Sequence, residues 1–209
     1  MLVFSNVIVI VFALVQGWNL LVVMFGYWLQ SVIIGFFNFI KIIGLKEFST
    51  EDFKINGRKF SIKDFSKLLN TPQKTKIYIA LFFAFHYGFF HFGYFEFLTG
   101  FIKNDRADVN MDKLIYSVLI TGTIFFFNHL FSFWYNRKEF KEKKPNISKI
   151  MFFPYARIIP MHFIAMSGGL FFVFNSIAGI EFIPLVLFLL FKTLADLIMH
   201  IVEHRGFED

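Results

Sequence analysis

Long apolar runs separated by short polar ones set the plan of this chain. Residues 2–45 carry one charge, Lys41. As a single helix that run would be about 66 Å long, roughly twice the hydrocarbon thickness of a bilayer. It therefore has to turn back, and Gln16-Gly17-Trp18-Asn19 is the best place, with glycine for the bend and tryptophan for the interface. This predicts helices near 2–16 and 18–45. Later apolar runs predict helices near 76–102, 113–135, 153–177 and 181–204, with the last two connections at Asn146–Lys149 and Gly179–Glu181.

The polar stretch 46–76 contains SIKDFSKLLN, which puts Ile62, Phe65, Leu68 and Leu69 on one helical face behind Ser61 as N-cap. An interfacial amphipathic helix is expected there, its lysines turned to lipid head groups. The fold class expected is thus an all-α membrane protein. It is a six-transmembrane-helix bundle forming one integral domain over 1–209, with the amphipathic helix between its second and third spans. The first run lacks a basic leader and a small-x-small cleavage site, so it reads as a retained helix and not a signal peptide.

Composition strengthens the membrane reading: 56% of residues are hydrophobic and 35 of the 209 are Phe, with a mean hydropathy of +0.60. A soluble domain of this length seldom carries so many large apolar residues. The absence of cysteine removes disulfides, thiolate metal sites and cysteine nucleophiles. A net charge of +6 could point to nucleic acid, but nine Lys/Arg fall in 41–76 and six in 137–149. With Arg205 that places sixteen basic residues on one side, against Lys103, Arg106 and Lys113 on the other. The bias predicts a multi-pass protein of the cytoplasmic (inner) membrane, with both termini and both basic loops in the cytoplasm. The bilayer is then the expected partner, and nucleic acid is not.

Helical rise converts this orientation into depth. His86, His129, His162, Asp196 and His200 fall about 8–15 Å from the cytoplasmic boundary, while His91 and Glu96 lie farther out. Asp196, His200 and His204 recur at i, i+4 and i+8 and form one ridge, with Glu203 on its flank. Two imidazoles four residues apart can share one ion, and His-x-x-Glu-His has the inverted zincin order in which Glu is the base. His86 and His91 are about 140° apart round their helix and cannot share an ion. Arg157 reads either as snorkelling to lipid phosphate or as partner to a carboxylate or anion. Lys192 lies mid-membrane and needs a partner or water, with Glu96 as one candidate counter-charge; Gln30 is at comparable depth. Gly88 and Gly93 predict close approach of a neighbouring helix.

Six short signatures stand in order along the chain: GW at 17–18, YWLQ at 27–30, HYG at 86–88, NH at 128–129, PYARIIPMH at 154–162 and KTLADLIMHIVEH at 192–204. In these the chain resembles an uncharacterised family of prokaryotic integral membrane proteins, domain of unknown function family 6498. The resemblance implies the same layout and an acid at position 30, where this chain has Gln30. It implies no activity.

The leading expectation is a histidine/carboxylate centre in the cytoplasmic half of the membrane. Zinc or iron would be held by His129, His162, His200 and His204, with Asp196 or His86 completing the shell. Glu203, with Asp196, would act as catalytic carboxylate on a metal-activated water, giving a hydrolase-like reaction on a lipid or other amphiphile. The alternatives are b-type haem held between histidines, a proton-coupled carrier using Asp196, Lys192 and the histidines, and a ligand-free scaffold. Few polar groups in the outer half favour a site open to one side only.

Overall fold

The computed structural model describes residues 15, 19–49, 53–55, 58–60, 71–103, 110–135, 145–166 and 182–206. The helices are α1 (Leu20–Gly44), α2 (Pro72–Lys103), α3 (Met111–Tyr135), α4 (Ile147–Phe152), α5 (Ile158–Met166) and α6 (Phe182–Gly206), with a 3-10 turn at Phe153–Arg157 between α4 and α5. The expected helix near 2–16 (save Val15), the amphipathic helix at 61–69 and the second half of the expected 153–177 span lie outside the described residues. Among the described residues, Leu20–Gly44, Gln73–Lys103 and Met111–Tyr135 are long and apolar enough to cross a membrane, and Leu185–Ala195 is a shorter apolar helix. Three such helices stand where six spans were expected.

Asparagine sets several helix starts. Asn19 Oδ1 accepts from Leu21 N at 2.8 Å, and Asn110 Oδ1 from Lys113 N at 3.0 Å. Pro72 opens α2, where its missing N–H costs nothing. Asn146 caps α4, accepting from Ser148 N at 2.9 Å and Lys149 N at 3.2 Å. This corrects the expectation that 146–149 is a connection: the helix begins at Ile147. It also corrects the uninterrupted helix expected from 153, because the 3-10 turn intervenes. Two prolines explain the break, since Pro154 and Pro160 each lack an amide hydrogen for the helical ladder. An Asn146→Ala change is expected to cost about 1 kcal/mol through its two orphaned amides, measured as a lower unfolding midpoint in detergent.

The all-helix expectation also needs one amendment. A hairpin of three-residue strands, β1 (Phe53–Ile55) and β2 (Arg58–Phe60), pairs antiparallel with Phe53 opposite Phe60 and Ile55 opposite Arg58.

The chain divides into two compact units, one comprising 1–29, 92–121 and 155–209 and the other 30–91 and 122–154. The core of the second unit is aromatic. Phe37 is buried and meets Phe126 at 5.4 Å and Phe133 at 5.8 Å between ring centroids. Asn38 Nδ2 donates to Ile150 O at 3.0 Å, and Lys76 Nζ reaches Leu45 O, just past the end of α1, at 2.8 Å. Ser49 forms a parallel bridge with Asn146: Ser49 N donates to Pro145 O at 3.0 Å, and Ile147 N to Ser49 O at 3.2 Å. The two basic loops are thereby tied together.

Gly35 is the close-packing glycine of this unit. A Cβ there would lie 2.5 Å from Cε1 of Tyr87. Gly88 and Gly93, expected to admit a neighbouring helix, have no atom within 4 Å of such a Cβ.

In the first unit, Leu21, Met24, Leu98, Phe188 and Leu189 are buried. Phe163 of α5 packs on Phe191 of α6 at 4.5 Å, and Trp28 of α1 on Phe95 of α2 at 5.3 Å. Phe85, Phe89 and Phe92 on α2, with Ile124 and Phe131 on α3, are exposed, as lipid-facing positions would be.

Candidate functional site

In the first unit, Tyr27 organises the residues around Arg157. Arg157 closes the 3-10 turn that leads into α5. The hydroxyl of buried Tyr27 donates to Arg157 O at 3.2 Å. The Tyr27 ring also faces the guanidinium, whose Cζ is 5.8 Å from the ring centroid. Phe188 of α6 packs edge-on against that ring at 5.5 Å. Arg157 itself is half-buried, and its Nε and Nη1 are shielded from solvent. A permanently charged group thus lies over an aromatic ring in a half-buried position.

His162 follows five residues later, on α5. Its Nδ1 lies 3.2 Å from the hydroxyl of Tyr94, a buried residue of α2, with the rings nearly perpendicular at 6.4 Å. Either atom can donate, depending on which imidazole nitrogen carries the proton. His162 as a whole residue is exposed. Together these residues provide a fixed cation for an anion and a phenol–imidazole pair that can hold or pass a proton.

The second unit holds a different polar group. Tyr87 OH donates to Ser31 O at 3.1 Å, and its oxygen lies 2.8 Å from Ser31 Oγ. The Ser31 hydroxyl is consequently the donor in the second bond. His91 Nδ1 lies 2.9 Å from Tyr87 O; a carbonyl only accepts, so Nδ1 carries the proton. All three side chains are buried. An apolar recess of about 240 Å³ opens beside them, walled by Val32, Gly35, Phe39, Phe83, Tyr87 and His91. Removing the Tyr87 hydroxyl strands a buried serine, so Tyr87→Phe is expected to cost about 1–2 kcal/mol in a denaturation titration.

Among the described residues no group of three His, Asp or Glu could hold an ion. His86 is exposed between Phe82 (5.4 Å) and Phe90 (5.1 Å) of its own helix. His129 is half-buried against Phe125 at 4.5 Å and Phe37 at 6.0 Å. His91 is turned to a backbone carbonyl, and His162 to Tyr94. Aromatic rings thus pack on the imidazoles of His86 and His129. The side chains of Asp196, His200, Glu203 and His204 lie outside the described residues, although α6 runs unbroken through all four positions to Gly206.

Of the remaining expected residues, Lys192 and Gln30 are half-buried. Glu96, considered as counter-charge to Lys192, is instead exposed and lies 3.9 Å from Lys103 of its own helix. Tyr27, Tyr94, Tyr87, Ser31 and Gly35 were not anticipated as positioning residues. Tyr27 and Tyr87 do stand inside the YWLQ and HYG signatures, and Tyr87 is a hydroxyl in a run of phenylalanines, a signal available from sequence.

A family model described as "Family of unknown function (DUF6498)" matches residues 1–209. No curated protein and no solved structure matches the chain.

Proposed function

For a chain that belongs to the DUF6498 family, and takes no activity from that membership, we propose a multi-pass membrane protein that binds the acidic head group of a lipid or other amphiphile at Arg157. The observation that carries this reading is the half-buried guanidinium of Arg157, fixed through ring and backbone by Tyr27. Arginine keeps its charge at any accessible pH, and its planar fork suits phosphate or carboxylate. His162, held by Tyr94, stands on the next turns of the same segment and supplies a group that can exchange a proton with the bound head group. Lipid extraction and mass spectrometry of purified protein should recover an acidic amphiphile with wild type and lose it with Arg157→Gln. Equal recovery from both would defeat the reading.

A second reading has its own support. Asp196, His200 and His204 share a ridge of α6, which is continuous over all three positions. A zinc or iron ion on that ridge would supply an activated water, Glu203 would serve as its base, and the protein would be a hydrolase acting on the amphiphile. Elemental analysis of protein purified without chelator tests this: metal that falls on His200→Ala supports it, and metal-free protein rejects it. A Soret band in the same preparation would mark haem instead.

The proposed topology is six spans in the inner membrane with cytoplasmic termini. The Ser49–Asn146 bridge supports it, because it joins the two lysine-rich loops that the charge bias assigns to one face.

A further inference from the structure

In the second unit, the end of α1, the start of α2 and α4 present a rim of cations. Lys46 stands two residues past α1, Lys74 in the first turn of α2 and Lys149 within α4, and all three are exposed. None of the three is ion-paired to a described residue. Lys76 is already engaged, because its Nζ donates to Leu45 O at the carbonyl end of α1. The pieces are held together by the bond from Asn38 to Ile150 O and by the Ser49–Asn146 bridge.

The chain's own loops do not supply the counter-charge. Residues 41–76 and 137–149 together hold fifteen Lys/Arg against six Asp/Glu. Their parts outside the described residues, 50–52, 61–70 and 136–144, hold seven Lys/Arg against five Asp/Glu, so as a set they add to the excess. Glu208 and Asp209 would only cancel that addition and leave the rim itself unbalanced. The setting of the lysines narrows the partner further. Ile43, three residues before Lys46, is exposed, and so are Ile77 and Tyr78, three and four residues after Lys74. On both helices an exposed apolar residue thus stands about one turn to the membrane side of an exposed cation. That order, charge and then hydrocarbon or aromatic ring, is the order of a bilayer interface. A nucleic acid would have no use for the apolar row.

We propose that Lys46, Lys74 and Lys149 form a docking surface for the phosphate head groups of anionic phospholipids in the leaflet that borders the basic loops. Each ammonium offers three donors on a flexible stem, so it follows a phosphate without imposing a fixed geometry. The surface therefore selects a class, an anionic phospholipid such as phosphatidylglycerol, by charge and not by head-group shape. It does not rest on the Arg157 reading, which concerns a residue of the first unit.

Native mass spectrometry of the full chain in detergent, with phosphatidylglycerol or phosphatidylcholine added, counts the lipids bound. Wild type should prefer phosphatidylglycerol, and the preference should shrink as salt is raised from about 50 to about 500 mM. Lys46→Gln, Lys74→Gln and Lys149→Gln together should weaken phosphatidylglycerol binding by roughly ten-fold or more. The matching triple change to arginine should retain it, which separates lost charge from lost fold. Lys103→Gln with Lys113→Gln, exposed lysines at the far end of α2 and the start of α3, should leave it within about two-fold of wild type. Arg157→Gln should remove one binding event at most. Equal binding of the two lipids, indifference to the triple glutamine change, or an equal loss with Lys103→Gln and Lys113→Gln would each overturn the docking surface. Tighter binding of a duplex oligonucleotide than of phosphatidylglycerol would overturn it in favour of nucleic acid.

Discussion

Tyr27→Ala is expected to destabilise the protein by about 3–5 kcal/mol, the range for deleting a buried aromatic ring. Among the contacts of Tyr27 are a hydrogen bond to Arg157 O, a ring face for the Arg157 guanidinium, and an edge contact with Phe188. Tyr27→Phe separates them. It keeps the ring contacts but leaves the Arg157 carbonyl without its hydroxyl donor, and about 1–2 kcal/mol is the expected cost. Urea or thermal titration in one detergent reads both values. A Tyr27→Phe protein as unstable as Tyr27→Ala would mean that the ring contributes little.

Gly35→Ala is expected to cost about 1–3 kcal/mol, although alanine is the better helix former. The added methyl carbon would sit 2.5 Å and 2.8 Å from two ring atoms of Tyr87. That ring cannot swing away cheaply, because its hydroxyl is anchored at both the oxygen and the carbonyl of Ser31. Gly88→Ala provides the contrast on the facing helix: with nothing within 4 Å, it should be neutral or slightly stabilising. Equal losses at the two positions would show that backbone propensity, and not the Tyr87 contact, governs both.

The membrane character and the approximate limits of three long helices were legible from apolar run length, because a bilayer imposes its own thickness on any segment that crosses it. Asparagine at 19, 110 and 146 marked helix starts through the ordinary capping chemistry of a short side chain that reaches back to free amides. Asn146 stands after Lys143, Lys144 and Pro145, a context that suits a connection as well as a cap. The hairpin at 53–60 also had a signal, an Asn-Gly pair at 56–57 between two three-residue strands, obscured by the lysines around it.

Side-chain direction was the part that sequence could not supply. Depth along a helix follows from residue number, but whether His86 or His129 meets an ion or a phenylalanine depends on rotation and neighbours. In a chain with 35 Phe, aromatic rings are the commonest neighbour. Arg157 and His162 were identified as polar residues worth attention. Their holders, Tyr27 and Tyr94, come from helices distant in sequence, at separations of 130 and 68 residues. No local pattern links residues so far apart.

The central claim is that Arg157 receives an acidic head group, and direct titration tests it most closely. Purified wild type, Arg157→Lys and Arg157→Gln would be titrated in nanodiscs of zwitterionic lipid with phosphatidic acid, and separately with a zwitterionic lipid of the same chains. A charge-assisted contact of about 1.5–3 kcal/mol predicts roughly 10- to 100-fold weaker binding of the acidic lipid by Arg157→Gln, with Arg157→Lys in between. The zwitterionic lipid should bind all three alike. Equal affinity of wild type and Arg157→Gln for phosphatidic acid would contradict the account.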